Sequence, residues 1–302
     1  MKKVLITGGT GLVGNALSIK LKEKGYEVSI LSRGSGNNYD FNYYNWDTDN
    51  NYIDLRAIEK QDYIIHLAGE NLGAKRWSNL QKQKIYNSRV KSSELLFDKL
   101  VTNNIKLKAF ITASAVGIYP SFSDGGPEFN ESSDAGNTFV SNVCKDWEKA
   151  ADNFKKIGIR TVKIRTGLVQ DLKDPALKKT LQLTKFGILP VFGKGKQYYP
   201  WIHIHDLVNI YIDALENENI EGPINAVAPE VITNLQYIKT IKMILKKPFI
   251  VKIPAFAFKL LFGEMSEIIL KGTKIKSELN GEFIKFKYPT IESAMNNLLD
   301  KS

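Results

Sequence analysis

The sequence predicts an α/β protein, a doubly wound parallel sheet with a smaller carboxy-terminal region closing over a substrate cleft. Three observations carry this. Short apolar runs alternate with segments of helical spacing through the first half, a pattern that calls for parallel strands covered on both faces. A glycine-rich turn, Thr7-Gly8-Gly9-Thr10-Gly11-Leu12-Val13-Gly14, follows the first apolar run and opens the first helical segment. A second apolar run, Tyr26–Leu31, follows at the spacing such a turn requires.

Residues 3–7 read as the first strand and 12–24 as a helix, with Leu12, Val13, Ala16, Leu17 and Leu21 on one side and Gly25 as its stop. After the strand at 26–31, residues 37–52 are rich in Asn, Asp and Tyr and read as loop with a short strand at Asn42–Trp46. A short helix holds Leu55–Ile58, Tyr63–Leu67 is an apolar strand, and one long helix is expected over 78–102. Ala109–Ala113 is a strand, 117–138 a loop, Val140–Ile157 a helix and Thr161–Ile164 a strand. The second half is less regular. It reads as a helix at 176–186, a turn-rich loop over Gly187–Gln197, and a strand leading into a helix over Ile202–Leu215. A strand at Pro223–Ala228 and helices at 233–247 and 254–270 follow. The last helix, with Phe256, Phe258, Leu260, Leu261 and Phe262, reads as the core helix of a small cap. These elements divide the chain into a nucleotide-binding domain at 1–169, rejoined by 202–230, and a cap and substrate region at 170–201 and 231–302.

Composition narrows the function classes. Hydrophobic residues make up 43%, enough for an ordinary core, and no run reaches the ~18 apolar residues of a membrane span. The opening Met1-Lys2-Lys3-Val4-Leu5-Ile6 begins like a secretion signal, but its apolar run stops at Thr7. The lone Cys144 permits no internal disulfide, which fits a cytoplasmic location. The net charge of +10 is spread over scattered lysines rather than a patch. That favours a solvated surface that attracts anionic small molecules over a nucleic-acid or membrane partner. A monomer or small homo-oligomer is expected.

Glycines at 8, 11 and 14 suit a tight strand-to-helix turn whose backbone N–H groups and helix dipole receive a diphosphate. At the end of the second strand stands Leu31-Ser32-Arg33-Gly34, with no acidic residue for a ribose 2′-hydroxyl. Arg33, helped by Ser32, suits a 2′-phosphate, which points to NADP(H).

Together these residues resemble the short-chain dehydrogenase/reductase superfamily, in its extended epimerase/dehydratase branch. His66-Leu67-Ala68-Gly69 resembles that branch's strand signature beside the cofactor. Further segments, among them Ser88-Arg89-Val90, Asp146-Trp147-Glu148 and Trp201-Ile202-His203-Ile204-His205-Asp206-Leu207, narrow the match. They look like the poorly characterised "epimerase family protein" subgroup, whose members end in a small domain of unknown function that residues ~250–298 resemble. The resemblance implies a Rossmann-like domain holding NADP(H). Gly8, Thr10, Gly11, Leu12 and Val13 would line the diphosphate, and Ser32 and Arg33 would take the 2′-phosphate. Asp47 would approach the adenine, Leu67, Ala68 and Gly69 would pack along the cofactor, and Arg165 would stand near the nicotinamide or substrate.

The superfamily also places a tyrosine and, four residues on, a lysine on one helix face, where the lysine lowers the phenol pKa for proton transfer. Counting back from Glu148 puts Cys144 at the lysine position and Val140 at the tyrosine position. Neither side chain can take that role. Ser114, after the fifth strand, and Tyr119, in the following loop, are the remaining catalytic candidates, and Lys84 and Arg89 are further sources of charge. Cys144 reads either as a redox-active thiol or as inert packing. His66, His203 and His205 form no metal set, although His203 and His205 would share a strand face. On the substrate side, Lys194, Gln197 and Trp201 read either as a cleft loop for an anionic ligand or as a surface turn packed on the second domain. Two function classes follow. One is an oxidoreductase or isomerase acting at a carbonyl or alcohol carbon; the other is a non-catalytic NADP(H)-dependent sensor or scaffold.

Overall fold

The computed structural model describes residues 1–34, 40–247, 249–278 and 283–300. The amino-terminal half runs β1 (Lys3–Thr7), α1 (Leu12–Glu23), β2 (Glu27–Ser32), β3 (Asn42–Asp47), β4 (Tyr52–Ile53), β5 (Tyr63–His66), α2 (Asn79–Asn87), α3 (Val90–Thr102) and β6 (Ala109–Ala115). It continues through β7 (Glu128–Phe129), α4 (Phe139–Lys156), β8 (Arg160–Thr166), β9 (Leu168–Gln170), α5 (Pro175–Thr184), β10 (Ile188–Phe192), β11 (Trp201–His203), α6 (Ile204–Glu216) and β12 (Gly222–Ala226). The last elements are α7 (Asn234–Leu245), β13 (Phe249–Ile253), α8 (Ala255–Phe262), α9 (Glu267–Leu270), β14 (Lys274–Ile275) and α10 (Ile291–Leu299).

The central sheet has eight strands in the order β12-β8-β6-β5-β1-β2-β3-β4, all parallel except the β3–β4 pair. The chain winds outward from β1 through β2 and β3, then restarts at β5 and winds the other way. The ends of β1 and β5 are therefore the switch point where such sheets open a ligand crevice. Side chains alternate across the sheet. Val4 and Ile6 pack with Leu17 and Leu21 of α1 and Leu207 and Tyr211 of α6, while Leu5 and Ile64 pack with Leu96 of α3 and Phe154 of α4. A separate cluster joins Leu177 of α5, Leu189 and Val191 of β10, Ile238 of α7 and Met295 of α10.

Four sequence expectations are corrected. The helix over 78–102 is two helices, because Ser88 and Arg89 form a turn in which the Arg89 N–H bonds the Tyr86 carbonyl, three residues back (3.1 Å). Ser88 Oγ accepts the Glu70 N–H (2.8 Å) and donates to the Ile85 carbonyl (3.0 Å). The stretch Gly187–Gln197 contains β10, whose partner β13 is five residues that periodicity alone did not mark as strand. The helix over 254–270 breaks at Gly263 (φ 59°), where a Cβ would stand 2.9 Å from the Arg76 guanidinium. Nor is its first part a core helix. Phe258 is buried, packed on Phe192 at 4.8 Å between ring centroids, while Phe256 and Leu260 are 74% and 77% exposed. Among the described residues no helix is long and apolar enough to cross a membrane.

Candidate functional site

The first component is backbone. Gly8 takes φ 68°, and a Cβ there would meet the Leu67 and Ala68 backbone at 2.9 Å. At Gly14 a Cβ would stand 2.3 Å from the Gly8 carbonyl oxygen, so only glycine lets α1 start this close to β1. Gly11 caps α1 in extended conformation, and no side chain covers the first-turn N–H groups. No acidic residue stands in that turn. Thr10 and Gly11 are exposed, and Leu12 and Val13 partly so. Uncapped donors at the positive end of a helix dipole fit a diphosphate. Ser32 ends β2, its Oγ bonded to the Gly34 carbonyl, and Arg33 beside it is exposed. The neighbouring residues 35–39, of which 37–39 belong to the Asn-rich loop read from sequence, lie outside the described residues. Asp47 closes its own turn. Its carboxylate accepts from the Asn50 amide (2.8 Å) and the Asp49 N–H (2.9 Å), bonds that hold its carboxyl below the usual range.

A polar clasp ties the two strands at the switch point. The Leu67 and Ala68 N–H groups both donate to Thr7 Oγ1 (3.1 Å). With those bonds accepted, the Thr7 proton is directed to His66 Nδ1, 2.7 Å away. The network thus assigns the ring proton to Nε2, 3.0 Å from Ser92 Oγ, which in turn donates to the Ser88 carbonyl (2.8 Å). Burial lowers the His66 pKa to about 4, so the ring is neutral. The clasp reaches from the glycine turn to the break between α2 and α3, and so fixes where Arg89 stands.

The second component is a cavity of about 220 Å³ beyond the ends of β1, β5, β6 and β8. Val13, Leu67, Ser114, Val140, Cys144 and Arg89 are among its lining residues, together with Trp147, Thr166 and Tyr211. Val140 and Cys144, which the sequence resemblance sets against the superfamily's tyrosine and lysine, thus face one apolar space with Ser114. Burial pushes the Cys144 thiol up to about 12, against the pull of Arg89, which marks it as packing rather than a reactive thiolate. Ser114 Oγ donates to Glu148 Oε1 (2.7 Å). Glu148 also receives Arg165 through Nε (2.8 Å) and Nη2 (2.9 Å), both side chains 8% exposed. Burial disfavours the Arg165 charge, but the bonds and attraction of Glu148 outweigh it and raise its pKa. Tyr119 accepts from Arg165 Nη1 (2.7 Å) and donates to Asn225 Oδ1 (2.8 Å). Burial raises its pKa, and it lies behind the Arg165–Glu148 pair rather than on the cavity wall. Arg165 itself is likewise one layer behind that wall.

The loop read as a substrate loop is tied into the fold. The Gln197 amide donates to the carbonyls of Phe192 (3.2 Å) and Ile269 (2.9 Å). Trp201 is 1% exposed within the cluster of α5, α7 and α10, so its ring faces are covered by protein. Lys194 is exposed, and none of the three lines the cavity. His203 ends β11 and accepts the His205 N–H as the cap of α6. The two histidines therefore do not share a strand face. Thr166 and Tyr211 lie on the cavity wall unforeseen. Their signal is topological, since β8 and α6 meet there only once the sheet is wound.

The uncapped glycine turn, the switch point beside it and the apolar cavity beyond the strand ends define a Rossmann-like dinucleotide-binding protein. The family model described as "NAD dependent epimerase/dehydratase family" matches residues 4–144, and one described as "Domain of unknown function (DUF1731)" matches 253–298. An epimerase family protein of Staphylococcus aureus (strain MRSA252) is 31% identical over the whole of both chains. The chain belongs to the NAD-dependent epimerase/dehydratase family. Its structure is similar to the crystal structure of human epimerase family protein SDR39U1 (isoform 2) with NADPH. The TM-score is 0.88 at 28% identity, with 99% of this chain and 100% of that one covered. It is also similar to a nucleoside-diphosphate sugar epimerase from Corynebacterium glutamicum, with TM-score 0.78 and 29% identity, covering 100% of this chain and 59% of that one.

Proposed function

We propose that the protein is an NADP(H)-dependent oxidoreductase or isomerase acting at a carbonyl or alcohol carbon, working in the cytoplasm on a small, anionic substrate. The choice of NADP(H) rests on Arg33 at the end of β2, on the lack of an acidic residue there, and on the NADPH of the human relative. The observation that carries the reaction is Ser114 on the cavity wall, hydrogen-bonded to the buried Glu148. When bound, the cofactor supplies or takes a hydride. The protein's own contribution is at the substrate oxygen. Ser114 sends its proton toward Glu148, which leaves the serine oxygen to accept a substrate hydroxyl. Ser114 takes that role over Tyr119, whose phenol is held between Arg165 and Asn225.

A second reading has its own support. Val140 and Cys144 stand where the proton-transfer pair is expected, so a protein that holds NADP(H) and reports its redox state without turnover also fits. One experiment separates the two. NADPH-loaded protein is mixed with a panel of carbonyl compounds and nucleotide sugars, and NADPH absorbance is followed. Catalysis predicts turnover that falls about 10²–10⁴-fold in Ser114→Ala. Tight stoichiometric NADP(H) with no turnover across the panel supports the sensor.

A further inference from the structure

We infer that Arg89 is the anchor for a carboxylate in this cavity, so that the ligand is an apolar body carrying one carboxylate group. The inference rests on the reading of the cavity as a substrate site. Arg89 lines the cavity, and no Asp or Glu among the described residues lies within ion-pairing distance of it. Its Nη1 is used, donating to the Ile85 carbonyl (3.1 Å) and the Ser88 hydroxyl (3.4 Å). Among the described residues its Nε and Nη2 donate to no acceptor, and these two form the edge that grips a carboxylate with two parallel bonds.

One face of the guanidinium lies against Gly69, where a Cβ would stand 3.0 Å from Cζ, 3.1 Å from Nη2 and 3.4 Å from Nε, so the glycine lets the backbone approach that face. The guanidinium is backed by the Trp147 ring at 5.3 Å, a stacking that compensates part of its lost hydration. Trp147 also lines the cavity, and among the described residues its buried indole N–H has no acceptor. The position of Arg89 is no accident of a mobile chain. It sits at the α2–α3 break, held by Ser88 and by the His66–Ser92 bond. The rest of the wall, including Val13, Leu67, Leu72, Ile85 and Val140, is apolar and suits a hydrocarbon or aromatic body.

The test compares benzoate with benzamide, its uncharged counterpart, by calorimetric titration of NADPH-loaded protein and of protein without NADPH. Benzoate is expected to bind at least about tenfold tighter than benzamide. In Arg89→Met the two should bind alike, with NADPH affinity and thermal midpoint little changed. Arg89→Lys, which keeps the charge but not the fork, should be intermediate. Equal binding of the two probes by the unaltered protein, or no binding of benzoate, overturns the inference, and neither result needs a variant to fold. A loss of NADPH affinity in Arg89→Met of about tenfold or more also overturns it, by assigning the guanidinium to the cofactor. Failure of the unaltered protein to bind NADPH would count against the cofactor reading alone, since the probe comparison without NADPH still decides the role of Arg89.

Discussion

The two ends of the cleft are built on different terms. At the glycine turn the surface is made of backbone. Gly8 and Gly14 are required by close approach, and α1 begins with bare N–H groups. At the cavity it is made of side chains, and they come from far apart in the chain: Arg89 from the α2–α3 break, Ser114 from β6, Cys144 from α4, Thr166 from β8 and Tyr211 from α6, with Glu148 of α4 bonded behind Ser114. A backbone site tolerates almost no change in its few residues. A side-chain site can exchange its reactive groups while the scaffold stays the same, and on the proposed reading Val140 and Cys144 stand where the pair is expected. The difference teaches that cofactor binding and chemistry can diverge separately on this fold.

The sharpest way to break this contrast is to remove a charge from behind the cavity. Arg165→Met leaves Glu148 buried without its bidentate partner, and a stability loss of about 3–5 kcal/mol is expected in urea unfolding. A loss within the range of a surface substitution would mean that Glu148 is not held as a buried ion pair. Next in size is the clasp between the ends. Folding lowers the His66 pKa from 6.5 to about 4, so below pH 6.5 the unfolded chain takes up a proton that the native ring refuses. Stability is thus unaffected above pH 6.5 and falls by ~3 kcal/mol as pH drops toward 4, a slope that His66→Gln should remove from the pH profile.

Gly14→Ala attacks the backbone end. The added methyl meets the Gly8 carbonyl, and a cost of about 1–3 kcal/mol is expected together with a clear loss of NADPH affinity by fluorescence titration. If NADPH binds as before, the turn does not hold the diphosphate. The smallest effect belongs to the exposed Arg33. Arg33→Ala should lower the preference for NADPH over NADH about tenfold without altering stability. An unchanged preference would move the 2′-phosphate elsewhere.

Legibility in the sequence follows the same division. The glycine turn and the strands β1, β2, β5, β6 and β8 were readable, because each rests on local spacing or on a backbone conformation that few residues allow. The break at Ser88 and Arg89 was not. Both are compatible with a helix, and what ends it is a hydrogen bond from Glu70, 18 residues earlier. β13 was missed because its side chains are largely exposed and show no clean alternation. Trp201 reads from sequence as an aromatic beside a glycine loop, yet three helices distant in sequence cover it. Beside the cavity, Ser114 is legible from its place after a strand. The roles of Glu148 toward Ser114 and of Arg89 toward the cavity needed the folded chain.

The single cysteine has a practical corollary. Cys144 is the chain's one thiol, buried and shifted far from neutrality, so it will ignore maleimides in the native state. A cysteine introduced on the exposed face of α8 or beside Arg33 would then be the sole labelling handle. Fluorophores or spin labels could be attached there without first mutating the interior, to report distances across the molecule as ligands bind.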